Sequence, residues 1–416
     1  MVRPGGPLEG TVRIGGAKNS ALKLMAATIL APGDYVLHNV PRISDVETMS
    51  DLLTSMGLDV RRPDGHTLRI HRGADVVPEA PYELVERMRA SIVVLGPLLA
   101  RFGYAKVALP GGDDFGPRPI DMHLKGLHDL GATFETKHGY IEARAENLVG
   151  ARIVLEYPSV GATENALMAA VLAKGTTVID NAAREPEIAD LASFLNRMGG
   201  QVLGAGSSTI HVLGVEELTP VEHTVVPDRI EAASFLAALA IAGGEVTLEG
   251  ARSDHMDMLV AKLGQMGMRI SPSEDGLWAM SPRRLSAVDV VTLPYPGLAT
   301  DYKPLFVAML AVADGVGIVT ENVFGGGRFR YIDELVRMGA DIRTEGHHAI
   351  VRGVERLSGA PVKAPDIRAG VALVVAGLGA DGETVVHDAF HLDRGYEGFV
   401  DKLRGIGADV VRERST

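Results

Sequence analysis

A glycine recurs in this chain at a steady beat, each time after a helical pattern and just before a short strand pattern. The six stretches are SMGLDV, DLGATFE, RMGGQVL, QMGMRIS, RMGADIR and GIGADVV, centred on Gly57, Gly131, Gly199, Gly267, Gly339 and Gly407. Their steps are 74, 68, 68, 72 and 68 residues. A second marker keeps the same period: small-residue apolar helices run into Gly33, Gly103, Gly175, Gly244, Gly315 and Gly382, spaced by 70, 72, 69, 71 and 67 residues. Two independent markers with one period divide the chain into six units of about seventy residues.

A left-handed cap beyond a helix is nearly free only for glycine, which explains each recurrence. Each unit therefore holds two helices with strands between them: one buried and rich in small residues, the other amphipathic, as in YIDELVRM and EGFVDKLRGI. Helices of Ala, Gly, Val and Leu pack closely, so the expected architecture is a helical core walled by sheets. Six units make one ring or two groups of three. Residues 219–231, at the midpoint, read as an extended linker between halves. The strand at residues 10–14 is expected to complete the last repeat.

Hydrophobic residues make up 46% of the chain and aromatics only 5%, so Val, Leu, Ala, Ile and Met must fill the cores. At 416 residues the chain exceeds one ordinary core. A net charge of -12 argues against nucleic acid as a partner, although a small anion can bind where a few arginines converge. The absence of cysteine excludes disulfides, a thiolate nucleophile and Cys-based metal sites. Neither Asp254-His255-Met256-Asp257 nor His347-His348 forms a ligand constellation, so no metal is expected. No P-loop or dinucleotide fingerprint points to a cofactor. Without a signal-peptide core or a run of about twenty apolar residues, the chain reads as cytoplasmic and not membrane-inserted.

The densest chemistry lies at residues 111–123, GGDDFGPRPIDMH, where the chain leaves the strand pattern AKVALP. Glycines there allow a sharp turn and close backbone approach, beside two acids and an arginine fixed between prolines. Other charged clusters sit at strand-to-helix entries: Lys18-Asn19, Arg87-Met88-Arg89, Ser159 with Glu164 and Asn165, Asp228-Arg229, Asp301-Tyr302-Lys303, Asp366-Ile367-Arg368 and Asp393-Arg394. Helix capping accounts for several of these. Lys18, Arg89, Arg118, Arg368 and Arg394 are candidates for one anion pocket, since helix N-termini favour anions; spacing leaves open whether they meet. Tyr302 and Trp278 read as packing residues.

The stretches GGAKNSALKLMAATILA, RASIVVLGPL, SVGATENALMAAVLA, IDNAAREPEI, PDRIEAASF, TENVF and HLDRGYEGFVDKL span nearly the whole chain. In them the sequence resembles the UDP-N-acetylglucosamine 1-carboxyvinyltransferase family of enolpyruvyl transferases, which opens peptidoglycan synthesis. The resemblance implies an α/β fold of two inside-out α/β barrel domains, each of three βαβαββ-type repeats. It places the first domain at residues 18–226, the second at 1–17 with 227–416, and the active site in the cleft between them. The reaction it implies joins phosphoenolpyruvate to the 3-hydroxyl of UDP-N-acetylglucosamine and expels phosphate.

By the same resemblance, residues 111–123 form a mobile lid in which Asp113 stands where the family usually has cysteine. Asp113 is then the general acid and Asp301 accepts a proton at the sugar hydroxyl. Lys18, Arg118 and Arg394 hold phosphoenolpyruvate, with Asn19, Arg89 and Arg368 close by. Asn19, Arg89 and Asp301 also face the nucleotide sugar. Pro119, Ile120, Asp121, Met122 and His123 surround its uracil, Ser159, Val160 and Gly161 its diphosphate, and Val323 its sugar. Tyr157 and Gly325-Gly326-Gly327 depart from the family pattern, which keeps two alternatives open: a paralogue acting on another nucleotide sugar in secondary metabolism, and a non-catalytic homologue. Without the thiol, fosfomycin has nothing to alkylate.

Overall fold

All twelve recurring glycines take positive φ, from 64° to 125°. Beyond each glycine of the first marker, the next amide donates back across the helix end: Leu58 to Leu53, Ala132 to Leu127, Gly200 to Leu195, Met268 to Leu263, Ala340 to Leu335 and Ala408 to Leu403, at 2.9 to 3.1 Å. These are the long-range bonds of a Schellman motif, which satisfy carbonyls that a helix end leaves without partners. The sequence beat is thus a sixfold helix stop.

The computed structural model describes residues 1–111, 119–282, 284–324 and 328–413. Among the described residues the fold is mixed α/β, with five four-stranded sheets and a sixth built from two two-stranded pairs, Val2–Arg3 with Asp409–Val410 and Pro361–Lys363 with Val385–His387, joined by a bridge from Val2 to Thr384. In five of them the order is the same, a parallel pair at one edge followed by two antiparallel strands. In one such sheet Glu222–Thr224 runs parallel to Gly33–His38, which is followed by Leu68–Arg72 and Asp59–Arg61.

That sheet refines the reading of the chain midpoint, where the chain does pass from one unit to the other between Val226 and Pro227. Glu222–Thr224 is no free linker but the edge strand of the first repeat, with Leu37 opposite His223. Buried hydrogen bonds fasten it: His223 Nε2 lies 2.8 Å from Asp190 Oδ1, the Val226 amide donates to Asp190 Oδ2 at 3.4 Å, and the Ser20 hydroxyl donates to the same carboxylate. The expected place of the first long strand is corrected. Leu8–Arg13 pairs with Gly244–Glu249 and so completes the fourth repeat. It is the two-residue strand Val2–Arg3 that joins the last one, pairing with Asp409–Val410 and bridging to Thr384. A period alone cannot choose between these pairings, because edge strands of different repeats have the same length and alternation.

The chain forms two compact units, residues 16–111 with 119–226, and residues 1–15 with 227–413. Each has its own apolar cluster. In the second, the helices Arg229–Ala242, Lys303–Leu310 and Ile367–Leu378 pack on one another and are almost wholly buried. In the first, Lys18–Ala27, Leu95–Phe102 and Val160–Ala170 carry the small residues. Burying them all round explains why they lack a polar face, while the amphipathic helices present theirs to solvent.

Candidate active site

In the first unit, one buried amide holds His123, a residue expected beside the uracil. Asn165 Nδ2 donates to the Ile92 carbonyl at 3.1 Å and meets His123 Nδ1 at 2.8 Å, while its Oδ1 accepts from the Gly96 amide at 2.7 Å. Only glycine fits at 96, since a Cβ there would stand 2.4 Å from the Asn165 carbonyl oxygen. With Nδ1 accepting, the His123 proton resides on Nε2, on the side of Gly161, where a Cβ would come within 3.0 Å of that nitrogen. Burial pushes His123 down to about 4, and the Arg89 charge adds to the effect, so the imidazole is neutral at pH 7.

Arg89 donates to the Pro119 carbonyl at 3.4 Å, and burial lowers its affinity for the proton. Pro119 and Asp121 are exposed; Ile120 and Met122 are half-buried. Asp121 opens the helix Asp121–Asp129, which carries His123 inward. Ser159 caps the helix Val160–Ala170 by accepting from the Ala162 amide. Arg89, residues 119–123 and residues 159–161 therefore form one neighbourhood. Asp113 and Arg118 lie outside the described residues.

Lys18 starts the helix Lys18–Ala27, and its ammonium sits 2.6 Å from buried Asp45. Asn19 follows, its carbonyl accepting from Lys23 at 2.9 Å; Lys23 in turn stands 3.4 Å from Glu164. Full burial pushes the Glu164 carboxyl up to about 7, against the pull of Lys23. Sequence reasoning does not single out Asp45, and it places Glu164 at a helix entry without a partner. Asp45 has the place of a first-turn helix acid, and Glu164 lies inside an apolar helix pattern; neither signals a partner some twenty or more positions away.

In the second unit, Asp301 Oδ1 accepts from Arg368 Nε at 2.7 Å, and Arg368 Nη1 donates to the Tyr396 hydroxyl at 3.1 Å. Burial raises the Asp301 carboxyl, but the Arg368 charge, with Arg328 and Arg229 behind it, outweighs burial and holds it below the usual carboxylate range. Although burial lowers it, the Arg368 guanidinium is held above its ordinary value by Tyr396 and Asp301. Asp366 caps the helix Ile367–Leu378 through the amides of Arg368 and Ala369, which places the Arg368 side chain at the helix entry.

A small pocket is lined by Thr300, Asp301, Lys303, Arg328, Asp366 and Arg368. Arg394 is not among its lining residues; it closes the turn Ala389–Arg394, two residues before Tyr396. Lys18 and Arg89 belong to one unit, Arg368 and Arg394 to the other. Val323 lies in the turn after the strand Val316–Thr320, its amide donating to Glu321 at 2.7 Å. Tyr302 is buried, as a packing residue, and its hydroxyl accepts from Arg229 at 3.3 Å. Asp301, unlike Ser159, Asp228 and Asp366, does not cap its helix, which is what separates it from the capping residues at the other entries.

Comparison with known proteins decides the lineage of this arrangement. The family model of EPSP synthase (3-phosphoshikimate 1-carboxyvinyltransferase) matches residues 2–403. The UDP-N-acetylglucosamine 1-carboxyvinyltransferase 1 of Symbiobacterium thermophilum is 52% identical over 99% of this chain and 94% of its own. That of Caldanaerobacter subterraneus is 49% identical over 99% of both chains. The chain belongs to the UDP-N-acetylglucosamine 1-carboxyvinyltransferase family.

Membership in this family accounts for the fold as well. The crystal structure of the enolpyruvyl transferase NikO from Streptomyces tendae superposes with a TM-score of 0.87 at 25% identity, over 98% of this chain and 97% of that one. EPSP synthase from Acinetobacter baumannii shares the fold with a TM-score of 0.75 at 20% identity, over 98% and 97% of the two chains. The enolpyruvyl transferase fold and its six repeated sheets are therefore common to carboxyvinyltransferases with different acceptors. What distinguishes the UDP-N-acetylglucosamine 1-carboxyvinyltransferase family must lie in the side chains set on that fold.

Proposed function

We propose that this chain transfers the enolpyruvyl group of phosphoenolpyruvate to the 3-hydroxyl of UDP-N-acetylglucosamine, the first committed step of peptidoglycan synthesis. Identities of 49–52% over 99% of the chain to curated enzymes of that name support it. Within the site, the observation that carries it is the Asp301 carboxylate, kept ionised by Arg368.

In this reading the acceptor oxygen bonds to C2 of phosphoenolpyruvate as its proton passes to Asp301, while C3 takes a proton from Asp113. The resulting tetrahedral intermediate returns a proton from C3 and breaks the C–O bond to phosphate, leaving the enol ether and inorganic phosphate. A carboxyl of ordinary pKa near 3.9 is almost fully ionised at neutral pH, so Asp113 needs burial or the adjacent Asp114 charge to act as an acid. Lys18, Arg118 and Arg394 bind the phosphate and carboxylate, with Asn19, Arg89 and Arg368 beside them. Fixed cationic donors of this kind stabilise charge that develops in the transition state. Residues 119–123 and 159–161 hold the uridine diphosphate, and Val323 the sugar. This reading places the reaction in the cytoplasm. No described helix is long and apolar enough to cross a membrane.

Phosphate release from phosphoenolpyruvate, followed with and without UDP-N-acetylglucosamine, tests the proposal. Sugar-dependent release is expected. Folded protein that released phosphate only with a different nucleotide sugar would be the paralogue, and no release with any would overturn the reading.

A further inference from the structure

Glu321 follows the strand Val316–Thr320 and is 2% exposed. A buried carboxylate is costly unless its lone pairs are filled, and an apolar residue would serve packing as well or better. Here five donors fill them. Oε1 accepts from the Thr292 hydroxyl at 2.8 Å, the Val323 amide at 2.7 Å and the Phe324 amide at 3.2 Å. Oε2 accepts from the Thr300 hydroxyl at 2.6 Å and the Lys303 ammonium at 2.8 Å.

The two oxygens thus serve different segments. Oε1 holds the turn that carries Val323, and Thr292 reinforces it by accepting from the Asn322 amide at 3.0 Å. Oε2 holds the turn Thr300–Tyr302, which carries Asp301. Lys303, also 2% exposed, packs its ammonium 4.5 Å from the centre of the Phe329 ring, and contributes to the pocket lined by Asp301, Arg328, Asp366 and Arg368. The Glu321 carboxylate thus ties the two turns together.

We infer that Glu321, held by Lys303, is a positioning residue: it fixes the turn of Asp301 and the turn of Val323 in one register, so that the proton acceptor meets the sugar hydroxyl. This rests on the proposed acceptor reaction, in which Asp301 takes the proton and Val323 faces the sugar. Misplacing a reacting group by about 1 Å can cost on the order of a hundredfold in rate, so a residue remote from the chemistry can control it.

Steady-state kinetics and thermal unfolding of three variants test the inference. Glu321→Gln keeps an oxygen for Thr292, Val323 and Phe324 but sets an amide NH2 where Thr300 and Lys303 donate. Its kcat should fall at least about tenfold, with the KM for UDP-N-acetylglucosamine within about twofold of the unmodified enzyme. Glu321→Ala releases both turns, so that KM should rise about tenfold as well, with little change in the KM for phosphoenolpyruvate. Combining Glu321→Gln with Lys303→Met removes the ammonium left facing the amide; Tm should recover while kcat stays low. A kcat for Glu321→Gln within about twofold of the unmodified enzyme would overturn the inference. So would a kcat that recovers with Tm in the double variant, which a merely structural role requires. If the unmodified enzyme itself shows no sugar-dependent turnover, the proposed function fails instead.

Discussion

Arg368 Nε donates to Asp301 Oδ1 at 2.7 Å, and the same guanidinium reaches the Tyr396 hydroxyl through Nη1 at 3.1 Å. A forked cation thereby fixes both the charge and the direction of the carboxylate. Asp301→Asn removes the proposed acceptor for the hydroxyl proton, and kcat should fall about 10²- to 10⁴-fold. Arg368→Lys keeps the charge but cannot bond both partners in the same geometry, so kcat should fall less, while the Asp301 carboxyl moves back toward its ordinary value. Steady-state rates across pH for the two variants check both outcomes.

Lys303 gives a pH dependence with opposite signs for rate and stability. Burial pushes it down to about 8 although Glu321 opposes this; Arg328 and Asp366 also face it, beside the Phe329 ring. Above pH 8 the ammonium is lost and with it the ion pair to Glu321, so kcat should decline with an apparent pKa near 8, a limb absent in Lys303→Met. The unfolded chain holds this proton up to about 10.4, so between the two values it binds more protons than the fold. The contribution of Lys303 to stability therefore rises with pH through that window, and denaturant unfolding at pH 7 and 9 should show no loss from this group.

His123 acts at the other end of the scale. Its folded value of about 4 lies below the unfolded 6.5, so its contribution to stability is present above the unfolded value and is lost as pH falls toward 4. By pH 5 the cost should reach about 2 kcal/mol relative to pH 7. In His123→Gln, which cannot titrate, the difference between urea unfolding at pH 7 and pH 5 should shrink by that amount.

Gly161→Ala probes the same neighbourhood without changing charge. Its Cβ would stand 2.7 Å from His123 Cε1, so the imidazole must shift and its bond to Asn165 lengthen. The KM for UDP-N-acetylglucosamine should rise about tenfold or more while that for phosphoenolpyruvate holds.

The helix stops can be tested apart from the site. Gly199 has φ of 101° and nothing within 4 Å of an added Cβ, so Gly199→Ala isolates backbone strain from crowding. It should cost about 1 kcal/mol, measured by denaturant unfolding, with kcat unchanged.

The proposed role of Asp113 predicts that catalysis and drug sensitivity part at this residue. The chain has no cysteine, so intact-mass measurement after fosfomycin treatment should show no adduct. Asp113→Cys should acquire one adduct per chain and lose activity as it forms.

The sequence by itself determined the six units, because a helix stop in the left-handed region admits little but glycine and so marks the chain wherever it occurs. It determined the small-residue helices as the core, since a helix without a polar face must be buried. The family was also legible, from motifs such as NAAREPE and DRGYE. Only the tertiary structure decided which strands complete which sheet: Leu8–Arg13 joins the fourth repeat, Glu222–Thr224 the first, and Val2–Arg3 the last. Pairing across 186 positions or more leaves no local mark. Likewise, Asp301 and Arg368 were legible as charged residues at helix entries, but their contact across 67 positions was not. The roles of Glu321 and Asn165 were hidden, because a buried polar group owes its role to partners that only the folded chain brings within hydrogen-bonding distance.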